Sequence, residues 1–405
     1  MRVLMISPGF PLEMPLFTRG LARAGAEVLG LGDQPLAALP EEAREALSDY
    51  RRVPDLWDEE AVIEELRAWL RGTELDRVEC LWEPGMLLAA RLREAFGLPG
   101  LDRERARAFR DKELMKQRLD AAGLRTPRHR RATTEAEIRA AAEEIGLPLI
   151  VKPVAGAGAA DTWPVREPSE LEEAVARVRH VPEVSVEEFV EGEEFTYDTV
   201  SVNGTPLYEN VAWYRPKPLY ARLNPWISQV ACCLKDLQAP GVRSGVDLGR
   251  RVLKALDFET GFTHMEWFLK PDGEAVFCEI GGRAPGGRLV HVMNYASDAD
   301  LFLGWGEAVV HGEIRQDLRR EYNAAVVFKR AEGEGRIQRI EGLENLLARY
   351  GELVVHMDLP RLGDPKKDWR RIVSGDGWIV VRHPNLEVTL EAADHFAAEL
   401  RLYAG

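Results

Sequence analysis

GFTHMEWFLKPDGEAVFCEIGGRAPGGR, residues 261–288, reads as two strands around a Pro271-Asp272-Gly273 turn, followed by a glycine-rich loop carrying Arg283 and Arg288. Alternation along the first strand puts His264, Glu266 and Phe268 on one face and Met265, Trp267 and Leu269 on the other. A two- or four-residue turn centred on Asp272-Gly273 pairs Glu266 directly with Glu279. Side chains so paired lie roughly 4.5–5.5 Å apart, and like charges there repel unless something positive sits between them. A three-residue loop with a bulge would instead shift the pairing by one and send the carboxylates to opposite faces. The residues alone leave both registers open, and a solvated hairpin with two surface glutamates is the plain alternative. Against it, a strand as apolar as Ala275-Val276-Phe277-Cys278 has little reason to end in Glu279 and Arg283 unless the site is polar by purpose. A hard, oxygen-seeking divalent cation such as Mg²⁺, placed beside phosphates, suits two carboxylates.

Composition sets outer bounds. A chain of 405 residues with 45% hydrophobic content holds two to four domains with filled cores. Its formal charge of −14 argues against broad binding to nucleic acid or to an acidic membrane, so any phosphate site has to be built residue by residue. Cys80, Cys232, Cys233 and Cys278 show no CxxC or metal-type spacing, which suggests a reducing, cytoplasmic setting. The start MRVLMISPGF reads as a first strand rather than a signal peptide. No segment approaches the roughly 20 apolar residues needed to span a bilayer.

Working outward from the hairpin, residues 1–104 alternate strands at 3–6, 27–31 and 78–82 with helices at 16–24, 59–70 and 87–96, the pattern of an N-terminal α/β domain with a parallel sheet. Its first turn, Ser7-Pro8-Gly9-Phe10, lacks the GxGxxG dinucleotide fingerprint. Next come a charged segment with Asp111-Lys112 and a helix ending at Gly123. Capping boxes at Thr134 with Glu137 and at Ser169 with Glu172 predict two more helices. Between them Leu149-Ile150-Val151-Lys152-Pro153 reads as a buried strand, followed by a run of small residues from Val154 that includes Gly156 and Gly158. Such a run offers backbone N–H groups to an anion and can close over it like a lid, although it is no P-loop, and a plain flexible linker is the alternative. The acidic stretch 187–194 reads as two strands with a short connection; so close to a phosphate-binding loop its acids make sense if they accept from donors such as an adenine amino group and ribose hydroxyls, and as surface acids otherwise.

These pieces, in this order, resemble the ATP-grasp superfamily and within it the carboxylate–amine ligases acting on amino acids and peptides. The resemblance covers about 105–310 by motif and extends by layout to both ends. It implies an α/β and α+β fold: an N-terminal α/β (pre-ATP-grasp) domain at 1–104, an ATP-grasp subdomain with the glycine-rich lid at 105–184, a second subdomain with the metal strands at 185–315, and a small β-rich C-terminal domain at 316–405. It implies that Lys112 and Lys152 hold nucleotide phosphates and that Gly156 and Gly158 belong to the lid. Glu187 then faces the adenine amino group, with the backbone of Glu188 and Val190 at the adenine edge and Glu194 at the ribose. Glu266 and Glu279 are the implied ligands of Mg²⁺, with Mn²⁺ an alternative. Arg283 steadies the transferred phosphate, and His264 faces phosphate or substrate. Two departures stand out. Relatives commonly carry Glu-x-Asn where this chain has Glu279-Ile280-Gly281, and the lid lacks serines.

The implied reaction passes the γ-phosphate of ATP to a carboxylate, and an amine then attacks the acyl phosphate, releasing ADP and phosphate. Such chemistry needs positioning and neutralised charge more than covalent protein groups. No Ser-His-Asp, Cys-His or HExxH pattern is evident. Residues 213–244, with Lys217 and Arg222, together with Arg288, are the candidates for gripping the small-molecule carboxylate and amine substrates. The competing expectations are a biotin carboxylase-like or purine-pathway carboxylase-like enzyme and a non-catalytic ATP-binding regulator. A homodimer is left open.

Overall fold

The computed structural model describes residues 1–155, 160–368 and 375–405. Near the N-terminus four parallel strands lie in the order Asp49–Arg52, Glu27–Gly32, Arg2–Ile6 and Arg77–Glu79. Helix Glu59–Leu70 shows why the local sequence folds as it does. Asp58 accepts from the Ala61 N–H at 3.1 Å, Val62, Ile63, Leu66 and Leu70 share the buried face, and Arg71 ends the helix in a left-handed conformation. The short strand Asp49–Arg52, too polar to stand out in the sequence, forms the sheet edge.

Four antiparallel strands follow, in the order His129–Ala132, Val184–Glu188, Leu149–Pro153 and Trp163–Val165. Helices Glu135–Ile145 and Pro168–Arg177 pack on this sheet around Ile138, Ile145, Val151, Val175 and Val186. The Thr134–Glu137 capping box is present. The second box is displaced from the expected Ser169–Glu172 to Glu167 and Glu170, because Pro168 takes the first helical position and so makes Glu167 the cap. Strand Val184–Glu188 lies in the middle of this sheet, which therefore runs four residues past the division expected at 184/185.

The third sheet has nine strands. It runs Ala275–Gly281, Gly261–Leu269, Glu193–Val202, Ala212–Arg215, Val230–Cys233, Asn323–Lys329, Gly377–His383 and Val354–Asp358, with Thr205–Asn210 beside Glu193–Val202. Strand Val230–Cys233 pairs with Asn323–Lys329, so this sheet crosses the division expected at 315/316 without a break. A separate three-stranded sheet carries the chain end, Arg401–Ala404. Helix Pro240–Ala255 packs against the large sheet through Gly245 and Gly249. A Cβ at these positions would lie 2.0 Å from the Trp267 ring and 2.1 Å from the Tyr197 ring, so only glycine permits the approach. The N-terminal helix Met14–Arg23 packs against Leu301–His311, and a Cβ at Gly306 would lie 2.5 Å from the Gly20 carbonyl oxygen.

The hairpin resolves its register in two steps. Leu269 pairs with Ala275, Phe268 with Val276 and Trp267 with Phe277, which leaves an odd five-residue loop, 270–274. Carried through, that register would put Glu266 opposite Cys278. A bulge after Phe277 absorbs one residue, and Glu266 pairs with Glu279, Met265 with Ile280 and His264 with Gly281. The direct pairing of the two carboxylates is the one formed, by way of a bulge.

Candidate active site

A cleft with about 130 Å³ of accessible space opens between the 129–188 sheet and the large sheet. Its wall includes Lys112, Lys152, Glu187, Glu188, Val190, Glu194, Lys217, Glu266 and Glu279, which brings nine of the expected residues into one place. Ile150, Phe189, Leu219 and Phe268 supply the apolar surface. Gly156 and Gly158 lie outside the described residues; Ala160 and Thr162, from the end of the same run, line the cleft.

The lysines come from two elements. Asp111 caps helix Lys112–Ala121, accepting from Glu113 and Leu114 at 3.1 and 3.0 Å, and this sets Lys112 on the first turn. Lys116, one turn later on the same face, is fully buried and donates to Glu187 Oε1 at 2.7 Å. Lys152 reaches Glu187 Oε2 at 3.0 Å. Both oxygens of Glu187 therefore meet ammonium groups. Burial opposes the Glu187 charge, but Lys116 and Lys152 outweigh it and hold the carboxyl well below its usual range. For Lys116 burial dominates and lowers its pKa, while for Lys152 burial is overcome by Glu187 and the pKa rises.

Across the cleft, Glu279 faces Lys112 Nζ at 3.1 Å. Burial works against its charge, yet Lys112 and Lys152 prevail and bring Glu279 down to about 2. Glu194, 7% exposed, is pushed the other way, by burial first and then by the charges of Glu266 and Glu279. Among the described residues no three His, Cys, Asp or Glu side chains are grouped to hold a metal. The residues present fit a cation of the Mg²⁺ type all the same. Two directly opposed carboxylates already balanced by an ammonium group form an anionic seat, and Mg²⁺ commonly takes one or two carboxylates and completes its shell with phosphates and water.

His264 and Arg283 flank this pair. His264 Nδ1 lies 2.6 Å from Asp198 Oδ1 and Nε2 lies 3.6 Å from Glu266. Burial disfavours the charged ring, but the hydrogen bond and charge of Asp198, helped by Glu266, lift it to about 9. Asp198 is itself fixed by Thr196 Oγ1 at 2.7 Å and Asn210 Nδ2 at 2.9 Å. Arg283 donates from Nε to Glu83 Oε2 at 2.8 Å, and Arg110 donates to the Glu83 carbonyl at 2.7 Å. The departure from Glu-x-Asn has a steric counterpart here. A Cβ at Gly281 would lie 3.2 Å from Arg283 Cγ, so the arginine packs over the space a side chain at 281 would take.

Two expected substrate residues are not in the cleft. Arg222 lies on the short helix Pro218–Leu223, whose first turn faces the cleft through Pro218 and Leu219 instead. Arg288 is left-handed at φ 60°, caps helix Leu289–Ser297 and turns its guanidinium over Trp378, 5.2 Å from the ring centre. Its backbone N–H is accepted by Glu13, which burial raises to about 7 against the pull of Arg288 and Arg283. Lys116, Asp198, Glu83 and Glu13 were missed in the sequence. Only Lys116 carried a signal, its four-residue spacing from Lys112.

A model of the ATP-grasp domain matches residues 117–285 and one of the ATP-grasp N-terminal domain matches residues 22–100. The L-arginine-specific L-amino acid ligase of Bacillus subtilis is 26% identical over 240 residues, 58% of this chain and 57% of that protein. The chain spans about half the length of the curated relatives it matches. Among solved structures, the L-amino acid ligase from Bacillus licheniformis superposes with a TM-score of 0.79 at 23% identity, over 100% of this chain and 98% of that one. The N5-carboxyaminoimidazole ribonucleotide synthetase from Thermotoga maritima gives 0.73 at 18% identity, over 100% and 99%.

Proposed function

The chain belongs to the ATP-grasp superfamily, and on that premise we propose that it is an ADP-forming carbon–nitrogen ligase that joins a carboxylate to an amine, with an amino acid or small peptide on the carboxylate side. One observation carries this reading: the directly paired Glu266 and Glu279 face two buried lysines across the cleft and are flanked by Arg283. Such a layout neutralises a polyphosphate and a group in transfer, and burial keeps the Cys278 thiol in the cleft wall in its protonated, weakly nucleophilic form. The apolar wall of Ile150, Phe189, Val190, Leu219 and Phe268 takes the base of ATP, with the Glu188 and Val190 backbone at its edge and Glu194 at the ribose. Lys112 and Lys152 bind the phosphates, and Glu187 positions Lys152 and Lys116. When bound, Mg²⁺ held by Glu266 and Glu279 shields charge on the transferred phosphate. Arg283 and the protonated His264 stabilise the oxygens of the acyl phosphate before the amine attacks.

The test is release of ADP and phosphate from Mg-ATP with pools of amino acids, small peptides or bicarbonate. Amine- and carboxylate-dependent release supports the ligase. Dependence on bicarbonate alone moves the protein to the carboxylase-like branch, whose members share the fold. Nucleotide binding with no turnover in any pool makes it a regulator.

A further inference from the structure

Three aromatic rings meet at the edge of the N-terminal sheet. Phe10 follows strand Arg2–Ile6, Trp57 follows Asp49–Arg52, and Trp82 follows Arg77–Glu79, so all three stand beyond the carboxyl ends of parallel strands, where open α/β sheets bind ligands. Phe10 meets Trp82 edge-on at 5.6 Å and Trp57 lies 5.4 Å from Trp82. Packing between the rings leaves much of their surface in solvent: Phe10 is 51% exposed and Trp57 54%, with neighbouring Leu12 at 62%. Large aromatics gathered from three separate loops and left open mark a surface that something covers.

What lies next to the rings identifies the occupant. Glu83, the residue after Trp82, holds Arg283 at 2.8 Å, so the chain leads from the aromatic cluster directly to the group assigned to the acyl phosphate. Glu13, three residues after Phe10, lies within electrostatic reach of Arg283, accepts from the Arg288 backbone and keeps one carboxylate oxygen without a partner. Arg283 and the unpartnered oxygen of Glu13 thus supply a cation for a carboxylate and an acceptor for an ammonium group, the two ends of a zwitterion. We infer that the substrate activated at its carboxylate is an α-amino acid, or a peptide ending in one, with an aromatic or bulky apolar side chain that lies against Phe10, Trp57 and Trp82. The inference rests on the ligase reading and adds its substrate class.

Hydroxylamine in place of the amine isolates the carboxylate side. The hydroxylamine nitrogen attacks the acyl carbon, the C–O bond to phosphate breaks and phosphate leaves, the nitrogen gives up a proton, and a hydroxamate forms that can be quantified. Phenylalanine, tryptophan, leucine, alanine and glycine are compared as carboxylate donors for the wild type, Trp57→Ala and Phe10→Ala, with ATP affinity measured in parallel. Trp57 and Phe10 are half exposed, so truncation leaves the core intact. The wild type should favour phenylalanine, tryptophan and leucine over glycine. Each variant should lose about 10- to 100-fold in kcat/KM for those donors, stay within about threefold for alanine and glycine, and keep its ATP affinity. Equal losses for all donors, or a wild type that prefers glycine or alanine, overturns the aromatic subsite while leaving the ligase standing. No hydroxamate from any amino acid overturns both.

Discussion

Replacing Glu187 by glutamine tests the electrostatic design of the cleft most directly. The carboxylate is 3% exposed and is the shared counter-charge of Lys116, which is fully buried, and Lys152, which is 10% exposed. Removing one partner of a buried pair typically costs about 3–5 kcal/mol, since the other charge stays behind without compensation. The variant has an escape, because Lys116 can lose its proton. From an ordinary pKa of about 10.4, neutralising a lysine at pH 7 costs at most about 4.6 kcal/mol, taking about 1.36 kcal/mol per pH unit. Burial already lowers the Lys116 pKa, so the ceiling lies below that figure and a loss of about 3–4 kcal/mol at pH 7 follows. The sign of the pH dependence is fixed as well. Between its lowered folded value and about 10.4, Lys116 binds a proton in the unfolded chain but not in the folded one, so the variant gains stability as pH rises. Urea unfolding at pH 7 and pH 9.5, with hydrogen exchange over 112–121, reads both effects. A variant as stable as the wild type at pH 7, or a deficit that widens at pH 9.5, refutes the reasoning. Unchanged stability combined with lost discrimination between adenine and other bases would support the base-facing role.

Four other outcomes are expected. Glu279→Gln should cut turnover by about a hundredfold or more while ATP affinity falls by less than tenfold, because the lost charge serves the transferred phosphate rather than the base; stopped-flow binding beside ADP release checks this, and near-wild-type turnover removes Glu279 from the site. Gly281→Asn should lower kcat at least about tenfold with ATP affinity kept, since its Cβ would sit 3.2 Å from Arg283 Cγ and displace the arginine; an active variant would show that Arg283 has room to re-seat. The folded pKa of Glu279, about 2, lies below the roughly 4.3 of an unfolded glutamate, so its contribution is whole above that value and lost as pH falls towards 2. Urea midpoints measured from pH 6 to pH 3 should drop in the wild type and drop less in Glu279→Gln. Turnover should yield ADP and phosphate, and chromatographic detection of AMP and pyrophosphate would contradict acyl-phosphate chemistry.

The cleft was legible in the sequence wherever one short stretch carried both a residue and its setting. Lys152 ends an apolar strand and Glu266 alternates with Trp267, so each could be placed from its neighbours, whereas Glu194 was placed by the resemblance to ATP-grasp proteins. The pairing of Glu266 with Glu279 was legible only as a choice between two registers. The loop adopts the odd length that would have separated them, and the bulge after Phe277 reunites them; a single apolar strand gives no sign of where a bulge falls. Partners far along the chain were not legible. Lys116 meets Glu187 71 residues away, His264 meets Asp198 66 away and Arg283 meets Glu83 200 away. Those separations also hid the continuity of the large sheet, where Val230–Cys233 finds Asn323–Lys329.

The two glycines of helix Pro240–Ala255 have a mechanical consequence. They let the helix rest directly on the rings of Trp267 and Tyr197, one turn apart, so the strand bearing Glu266 and its neighbour Glu193–Val202 are each braced from behind at one point. Trp267 is also tied by its indole N–H to the Thr196 carbonyl at 3.1 Å on the adjacent strand. That wall of the cleft is the anvil. Any closing stroke on a bound nucleotide falls to the opposite jaw, the smaller sheet with Lys152 and Glu187. A spin-label pair spanning the jaws should therefore shorten on nucleotide binding, while a pair between helix Pro240–Ala255 and strand Gly261–Leu269 keeps its length.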